Sequence, residues 1–359
     1  MRVLVTGGAG FVGSSLALQL KGLHPDWDFI ALDNLKRRGV ELSLPRLTEG
    51  KVRFVHGDVR VAEDLEAVGP VDVVLECSAE PSVMAGVTSS ASYALATNLN
   101  GTALCLEYAR RHQAAFLFLS TSRVYPMRPL AQVGLKEGPT RLEYVETAPP
   151  LTGLSAAGIA ETFALEGARS LYGATKLASE LLIAEYVEAF GLKAFINRCG
   201  VLAGPWQMGR VDQGIVTHWA LSHVLGRPLQ YIGFGGKGLQ VRDVLHVADL
   251  GELVDLQLGQ LGQARGEVFN VGGGAGISLS LVELTQACVA ASGRSVPIGS
   301  VPQTRFADIP WYVSDTRRVQ ARFGWAPKRS AQTVVQDVTR WVVGHREALE
   351  RALVERSTP

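Results

Sequence analysis

Short apolar runs alternate with stretches of helical periodicity through the first half of the chain. The apolar runs have the length of buried strands. They cover residues 2–6, 28–32, 52–56, 71–77, 115–120 and 193–198. Apolar residues at helical spacing predict helices over residues 12–21, 94–111 and 172–190. This alternation predicts an α/β fold, a doubly wound parallel sheet with helices on both faces.

After about residue 200 the pattern changes, because glycine and proline separate shorter elements. We expect residues 201–359 to form a smaller substrate-binding region from which some segments return to the sheet. Helices are predicted to close the chain over residues 315–322 and 331–351. Residues 142–167 lack periodicity and are expected to form a loop over the cleft.

The composition is that of a soluble globular protein, with 47% hydrophobic and 19% charged residues among 359. The formal net charge of +1 provides no field of one sign for nucleic acid or a membrane surface. The four cysteines show no metal-ligand spacing, so we expect reduced thiols, no metal site and a cytoplasmic location. No signal peptide is recognised, and no apolar run reaches the ~18 residues that would span a bilayer.

Three glycines, Gly7, Gly10 and Gly13, stand between the first predicted strand and the first predicted helix. Gly7 suits a tight turn, Gly10 lets the backbone approach a pyrophosphate, and Gly13 lets the helix lie against the sheet. The helix N-terminus then offers free N–H groups to phosphate. Glycine triplets also occur in purely structural turns, but an acid about twenty residues onward indicates a dinucleotide site. Residues 1–200 are therefore predicted to form a Rossmann-type domain that binds NAD.

Asp33 ends the second predicted strand, where a carboxylate can accept hydrogen bonds from an adenosine ribose and so favours NAD over NADP. Lys36, Arg37 and Arg38 follow it, and guanidinium groups can bind a 2′-phosphate. A solvated loop is the simpler interpretation of these three residues. Asp58, after the third strand, could hold the adenine amino group or cap a helix.

Tyr172 and Lys176 stand four positions apart at the start of a predicted helix, so their side chains share one face. A free tyrosine has a pKa of about 10 and is a poor base at neutral pH. We expect the Lys176 ammonium to lower the pKa of Tyr172 and to hydrogen-bond the nicotinamide ribose. Alone, this spacing is ordinary helix surface; after a dinucleotide turn it indicates a reactive pair.

These motifs together resemble the extended short-chain dehydrogenases/reductases, with Ser120-Thr121-Ser122-Arg123-Val124-Tyr125 as a further matching segment. The resemblance implies that Thr121 orients a sugar hydroxyl and that Asn98 is the family's central-helix asparagine. Longer strings resemble CDP-paratose (CDP-tyvelose) 2-epimerases over essentially the whole chain. They cover residues 33–39, 76–83, 169–172, 197–205, 211–214 and 308–312.

The resemblance implies NAD as the cofactor, a nucleotide sugar as the substrate, and Thr121, Tyr172 and Lys176 as the catalytic residues. The expected cofactor contacts are Gly7, Gly10, Phe11, Val12, Gly13, Asp33, Asn34, Asp58, Val59, Asn98, Tyr172 and Lys176. The expected substrate contacts are Thr121, Asn197, Gln213, Arg242 and Arg305. Arg242 and Arg305 match the family's diphosphate clamp, for which the planar guanidinium is suited. Taken singly, each could instead form a surface salt bridge with Asp243 or Asp308.

Two positions depart from better-known relatives. Val201 stands where the family pattern places an asparagine, so Asn197, Gln207 or Gln213 would have to supply the missing substrate hydrogen bond. Ser122 and Arg123 stand where sugar 4,6-dehydratases carry an Asp-Glu pair, and without that pair the elimination of water lacks its acid and base. His246 is assigned a structural role.

The resemblance therefore implies an NAD-dependent epimerase, an isomerase that inverts C2 of a CDP-hexose by transient oxidation and re-reduction. CDP-paratose to CDP-tyvelose is the expected reaction, with CDP-glucose to CDP-mannose as a related pair. The alternatives are a C4-epimerase of UDP-sugars and, in another class, a non-catalytic dinucleotide-binding regulator. A regulator would not need Thr121, Tyr172 and Lys176 together. We expect a homo-oligomer, a dimer or a tetramer.

Overall fold

The computed structural model describes residues 1–87, 90–148, 150–209 and 213–353. The first strands are β1 Arg2–Thr6, β2 Asp28–Asp33, β3 Arg53–His56, β4 Val73–Glu76, β5 Ala115–Thr121, β6 Leu135–Glu137, β7 Leu142–Tyr144, β8 Leu154–Ser155 and β9 Gly158–Ile159. The later strands are β10 Ala194–Cys199, β11 Val201–Ala203, β12 Leu229–Ile232, β13 Val241–His246, β14 Glu267–Val271, β15 Ser278–Ser280, β16 Ile298–Val301 and β17 Trp311–Tyr312.

Thirteen α-helices are assigned among the described residues. The first seven are α1 Phe11–Leu23, α2 Leu44–Glu49, α3 Ala62–Glu66, α4 Ser92–Leu95, α5 Gly101–His112, α6 Met127–Ala131 and α7 Leu171–Phe190. The other six are α8 Ile215–Leu225, α9 Val247–Leu258, α10 Leu281–Ser292, α11 Arg317–Phe323, α12 Ala331–Gly344 and α13 Arg346–Leu353. Among the described residues, no helix is long and apolar enough to cross a membrane.

The main sheet has seven parallel strands in the order β14-β10-β5-β4-β1-β2-β3. Successive residues of β1 point to opposite faces, since Val3 and Val5 belong to one apolar core and Leu4 to the other. Helices cover both faces, so the predicted doubly wound Rossmann-type fold is confirmed. The strand order reverses between β1 and β4, where such sheets bind ligands at their carboxyl edge.

The second half of the chain contributes to the main sheet and also builds its own core. Strand β14 adds to the edge of the sheet, and α9 packs against α1. Helices α8, α10 and α12 pack together around a separate apolar cluster that contains Trp219, Leu284 and Val338. The division proposed at residue 200 therefore leaves β14 and α9 as later segments that lie on the first domain.

Three predicted elements differ from the structure. The closing helix predicted over residues 331–351 is two helices, α12 and α13, which are separated at His345. The helix predicted over residues 94–111 is interrupted by a π-helical turn, Ala96–Asn100, which joins α4 to α5. The predicted loop over residues 142–167 contains three short strands, β7, β8 and β9, and its residue 149 lies outside the described residues. π-Helical turns often occur at functional sites, and this one carries Asn98.

Candidate active site

The glycine turn after β1 has the geometry that a bound pyrophosphate requires. Gly7 has a φ of +60°, and a Cβ at Gly13 would lie 2.3 Å from the Gly7 carbonyl oxygen. Helix α1 begins directly after Gly10 with no side-chain cap, so its first N–H groups remain available. These groups face a cavity of about 620 Å³ along the carboxyl edge of the sheet, which we call the first cavity.

The far end of the first cavity is built by the loop after β2. Asp33 lines it and accepts backbone N–H groups of Leu35 at 2.8 Å and Ala9 at 3.2 Å. Burial raises the pKa of Asp33 above its ordinary value, and the N–H groups of the turn oppose that shift. The carboxylate is therefore fixed where an adenosine ribose hydroxyl could reach it.

The basic residues after Asp33 do more than form a solvated loop. Lys36 and Arg38 are exposed, yet both line the first cavity together with Arg37. The Lys36 Nζ lies 3.4 Å from the ring centroid of Tyr93, which lines the same cavity. The interpretation of this run as solvent-facing alone is thus corrected.

Thr121, Tyr172 and Lys176 come together in the first cavity, although β5 supplies the first and α7 the other two. Ser170 caps α7 by accepting the Gly173 N–H at 3.2 Å, which fixes the turn that carries Tyr172. Lys176 is 2% exposed, and its Nζ lies 4.1 Å from the Phe118 ring centroid. Within the described chain, that ammonium has no hydrogen-bond acceptor. A buried donor at a cavity wall is suited to bind ribose hydroxyls.

The pKa of Tyr172 moves in the direction opposite to that predicted. Burial raises it to about 12, while a hydrogen bond with Thr121 and the charge of Arg123 lower it in part. The Lys176 ammonium is instead drawn to Glu76, the largest influence that offsets the burial lowering its own pKa. The structure therefore does not show the predicted lowering of the Tyr172 pKa by Lys176.

Glu76 is a functional neighbour that sequence reasoning missed. It ends β4 with no exposed surface, and its Oε1 accepts the Thr102 hydroxyl at 2.8 Å. Its Oε2 is buried without a partner among the described residues. Burial raises the pKa of Glu76 to about 7, although Lys176 opposes the shift. The signal in the sequence was an acid within an otherwise apolar strand.

A second cavity of about 770 Å³ lies in the region formed by the later half of the chain. Gln213 lines both cavities, and Arg242 and Arg305 line the second. Arg242 donates to Asp308 Oδ1 at 2.8 Å and to the Ile309 carbonyl at 2.5 Å, whereas Arg305 is exposed. The two predicted clamp arginines therefore share one cavity, adjacent to the reactive residues.

Three predicted contacts lie away from the cavity walls. Asn197 is fully buried and exchanges two amide hydrogen bonds with Gln257, at 2.8 and 2.9 Å, so a substrate contact is corrected to a core tie between β10 and α9. Asn98 forms hydrogen bonds with the backbone of Glu80 and with the hydroxyl of Thr175. It therefore supports the wall of the first cavity from behind and does not line it. The Asp58 carboxylate accepts hydrogen bonds from the side chains of Arg60 and Asn34.

The remaining predicted cofactor contacts do line the first cavity. They are Gly7, Gly10, Phe11, Val12, Gly13, Asn34 and Val59. His246 caps α9 through its Nδ1, which accepts the Ala248 N–H at 3.0 Å, in keeping with its structural assignment. Of the string over residues 211–214, Val211 and Asp212 lie outside the described residues.

The fold, the phosphate-binding turn and the Thr121–Tyr172–Lys176 group define a nucleotide-binding enzyme of the extended short-chain dehydrogenase/reductase type. The chain belongs to the NAD dependent epimerase/dehydratase family, whose model matches residues 3–272. A CDP-paratose 2-epimerase from Salmonella typhi is 30% identical, and the match covers 95% of this chain and 99% of that protein.

Two solved structures extend the comparison. A double mutant of a dTDP-glucose 4,6-dehydratase from Streptomyces venezuelae, with NAD bound, is 27% identical with a TM-score of 0.78, covering 98% of this chain and 100% of that one. A UDP-glucose 4-epimerase from Thermus thermophilus in complex with NAD is 27% identical with a TM-score of 0.75, covering 96% and 99%. This protein is accordingly an NAD-dependent enzyme of the nucleotide-sugar epimerase/dehydratase class.

Proposed function

We propose that the enzyme inverts C2 of a CDP-hexose, converting CDP-paratose to CDP-tyvelose or CDP-glucose to CDP-mannose. The observation that carries the epimerase assignment is the turn after Thr121. Tyr172 lies beside that turn and is the group expected to transfer protons. The turn itself carries Ser122 and Arg123, where sugar 4,6-dehydratases have the Asp-Glu pair that eliminates water. The groups support oxidation and reduction at one carbon, and they do not support elimination of water.

The residues of the first cavity would hold the dinucleotide in a defined order. The glycine turn and the start of α1 bind the pyrophosphate, Asp33 binds the adenosine ribose, and Lys176 binds the nicotinamide ribose. Bound NAD supplies the hydride acceptor for the first half of the reaction and the hydride donor for the second. The enzyme therefore needs no further redox partner.

Tyr172 moves the proton. Its phenolate takes the proton of the C2 hydroxyl as the C2 hydrogen leaves with its electron pair, so that the carbon becomes a ketone. Thr121 hydrogen-bonds the same oxygen and orients it. After the ketone has turned over, its opposite face would lie towards the dinucleotide site, and Tyr172 would give the proton back to the oxygen as the carbon is reduced. Atoms and charge balance without net oxidation.

The substrate's pose decides which carbon reacts, since the fold fixes both Tyr172 and the nicotinamide site. In the second cavity, Arg242 and Arg305 would hold the diphosphate, and Gln213 lies where the two cavities meet. Val201 lines the second cavity where the family pattern places an asparagine, which supports a pocket rebuilt for another pose. The similarity to a CDP-paratose 2-epimerase over nearly the whole chain supports C2 and the CDP group.

The test is an incubation with CDP-paratose and with CDP-glucose deuterated at C2, followed by NMR and mass spectrometry. We expect inversion at C2 with the deuterium retained, because the hydride is stored on the enzyme between the two half-reactions. Loss of the label to solvent would replace hydride transfer with deprotonation chemistry.

The second candidate is C4 epimerisation of a UDP-sugar, favoured by the similarity to a UDP-glucose 4-epimerase solved with NAD. UDP-glucose and UDP-galactose belong in the same panel. Inversion at C4 of these sugars, with the CDP-sugars unchanged, would overturn the proposed substrate.

A further inference from the structure

Arg123 lines the second cavity, and three contacts hold it there. Its N–H donates to the Thr121 Oγ1 at 3.2 Å, and its Nη1 donates to the Ala307 carbonyl at 2.9 Å. Its backbone oxygen packs so tightly on α7 that a Cβ at Gly173 would lie 2.0 Å from it. Gly173 follows Tyr172 directly.

The loop that Arg123 contacts also carries the predicted clamp residue Arg305. Ala307 has a φ of +61°, an uncommon conformation for a residue with a Cβ, and it is buried. The hydrogen bond from Arg123 helps to hold this turn, together with the bond from the Asp308 N–H to the Arg305 carbonyl at 3.3 Å. One side chain thus joins the turn of Tyr172 to the loop of Arg305.

The ionisable groups that act on Tyr172 come from three other elements. They are Arg123 in the turn after β5, Cys199 at the end of β10 and Glu80 in the loop after β4. Lys176 lies one turn further along α7. Cys199 and Glu80 raise the pKa of Tyr172, and Arg123 is the charge that lowers it. Burial lowers the pKa of Lys176, and the buried Glu76 opposes that shift.

We propose that Arg123 is a positioning residue that stabilises the phenolate of Tyr172 and couples it to the Arg305 loop. The proposal takes Tyr172 as the base and so rests on the proposed function, but it does not depend on which nucleotide sugar is bound. Arginine is suited to this place because it keeps its charge when buried. An acid at the same position would oppose ionisation of Tyr172, so the replacement of the acid pair changes the role of the turn.

The experiment is a titration of the phenolate by its ultraviolet absorbance, on the enzyme with NAD bound and without substrate. Arg123→Met and Arg123→Lys are compared with the native enzyme, and each is paired with its Tyr172→Phe counterpart to subtract the other tyrosines. We expect Arg123→Met to move the Tyr172 midpoint upward by about 1 pH unit, the scale of one lost neighbouring charge. Arg123→Lys keeps the charge and should stay close to the native midpoint.

Arg305→Met is the matched control, because Arg305 lines the same cavity. It should weaken nucleotide-sugar binding and leave the Tyr172 midpoint in place. If Arg123→Met gives no folded enzyme, the pH profile of kcat/KM for Arg123→Gln supplies the same measurement through its acidic limb, which should move to higher pH.

An unchanged midpoint in a folded Arg123→Met enzyme would overturn the proposal, as would a native Tyr172 that never titrates in the measurable range. An equal shift of the Tyr172 midpoint in Arg123→Met and Arg305→Met would also overturn the proposal, because the effect would then not be specific to Arg123. The titration uses no substrate. A shift found beside a failed product assay would therefore overturn the proposed function and leave the role of Arg123 standing.

Discussion

Tyr172 has to lose its phenolic proton before it can take one from a sugar hydroxyl, and its partly buried position works against that loss. Burial within the protein raises the pKa of Tyr172 to about 12. A bound dinucleotide brings a positively charged nicotinamide to the same cavity, and Lys176 lies in its wall. Charge supplied with the cofactor, added to that of Arg123, is the physical means by which Tyr172 would reach a working range.

Replacing Tyr172 by phenylalanine removes the proton acceptor and keeps the ring. We expect turnover to fall by about two orders of magnitude or more, the scale of lost general acid–base catalysis. NMR of the product sugars measures the rate. NAD content, read from the released nucleotide, should stay at the native level.

Tyr186→Phe is the control on the same helix, because its hydroxyl bonds Glu107 at 3.3 Å and the residue lines neither cavity. Near-native turnover of Tyr172→Phe would remove Tyr172 from the mechanism.

Glu76→Gln tests the buried carboxyl beside Lys176. The folded chain holds the Glu76 proton up to a pH of about 7, whereas the ordinary pKa is 4.5. The group therefore lowers the free energy of unfolding as the pH rises from 4.5 to 7, and the whole loss is present above 7. Glutamine does not titrate, so the variant should gain up to about 3 kcal/mol on the native enzyme across this window.

Urea unfolding at a series of pH values measures this difference. Glu185→Gln changes an exposed acid on α7 and should give a difference that is flat with pH. A flat difference for Glu76→Gln as well would show that Glu76 is ionised throughout.

At the scale of residues, the sequence identified three residues that line one cavity, Thr121, Tyr172 and Lys176, and missed the residues around them. Tyr172 and Lys176 are local in the chain, so their spacing alone placed them on one helix face. Glu76 and Arg123 reach the site through the packing of separate strands and loops, which no local pattern records. The predicted substrate contact of Asn197 was wrong for the same reason, because its hydrogen-bond partner Gln257 is sixty residues away in the chain.

At the scale of elements, the turn between β1 and α1 leaves no room for a larger residue. Gly13→Ala would place a Cβ 2.3 Å from the Gly7 carbonyl oxygen, so the helix or the turn must shift. We expect a loss of about 1–3 kcal/mol in the free energy of unfolding, the usual scale of overpacking, and a lower NAD content. Urea unfolding and the quantity of released nucleotide measure the two effects.

Gly22→Ala is the matched control on the same helix. A Cβ at Gly22 meets nothing within 4 Å, and alanine is the better helix former by about 1 kcal/mol. This variant should be as stable as the native enzyme or more stable. Equal losses for both variants would show that the turn tolerates a Cβ.

The elements predicted well were those with a one-sided or fully apolar pattern. All six predicted strands of the first half exist, within two residues at each end. Helix α8 was missed because it is apolar nearly all round, with buried residues on every face, and so shows no helical period. The π-helical turn at Asn98 depends on contacts with Glu80 and Thr175 and has no local signature.

At the scale of the whole molecule, the two cavities are lined mainly by different halves of the chain. The first is built mainly by the parallel sheet and the second by the later elements, and Gln213 and Gly214 line both. A nucleotide sugar held in the second cavity would therefore present its sugar to Tyr172 at the meeting point. Under the proposed function, nucleotide-sugar binding would lie on the later half, and dinucleotide binding with proton and hydride transfer on the first.

The preference for NAD or NADP depends on several groups of the first cavity together. Asp33 is fixed by two backbone N–H groups and offers acceptors to ribose hydroxyls, while Lys36, Arg37 and Arg38 line the same cavity. A 2′-phosphate would meet the Asp33 carboxylate at close range, whereas Lys36 and Arg38 line the cavity from exposed positions, where solvent screens their charges. We expect the purified enzyme to carry NAD(H), since a hydride stored between half-reactions requires a cofactor that does not leave. Denaturing the protein and identifying the released nucleotide by mass spectrometry measures this.

Asp33→Asn keeps the shape and removes the charge, so it should raise the affinity for NADP relative to NAD. NADP(H) released alone from the native enzyme would mean that the three cations outweigh Asp33. If the Asp33→Asn enzyme kept the native preference for NAD over NADP, another part of the first cavity would be responsible for that preference.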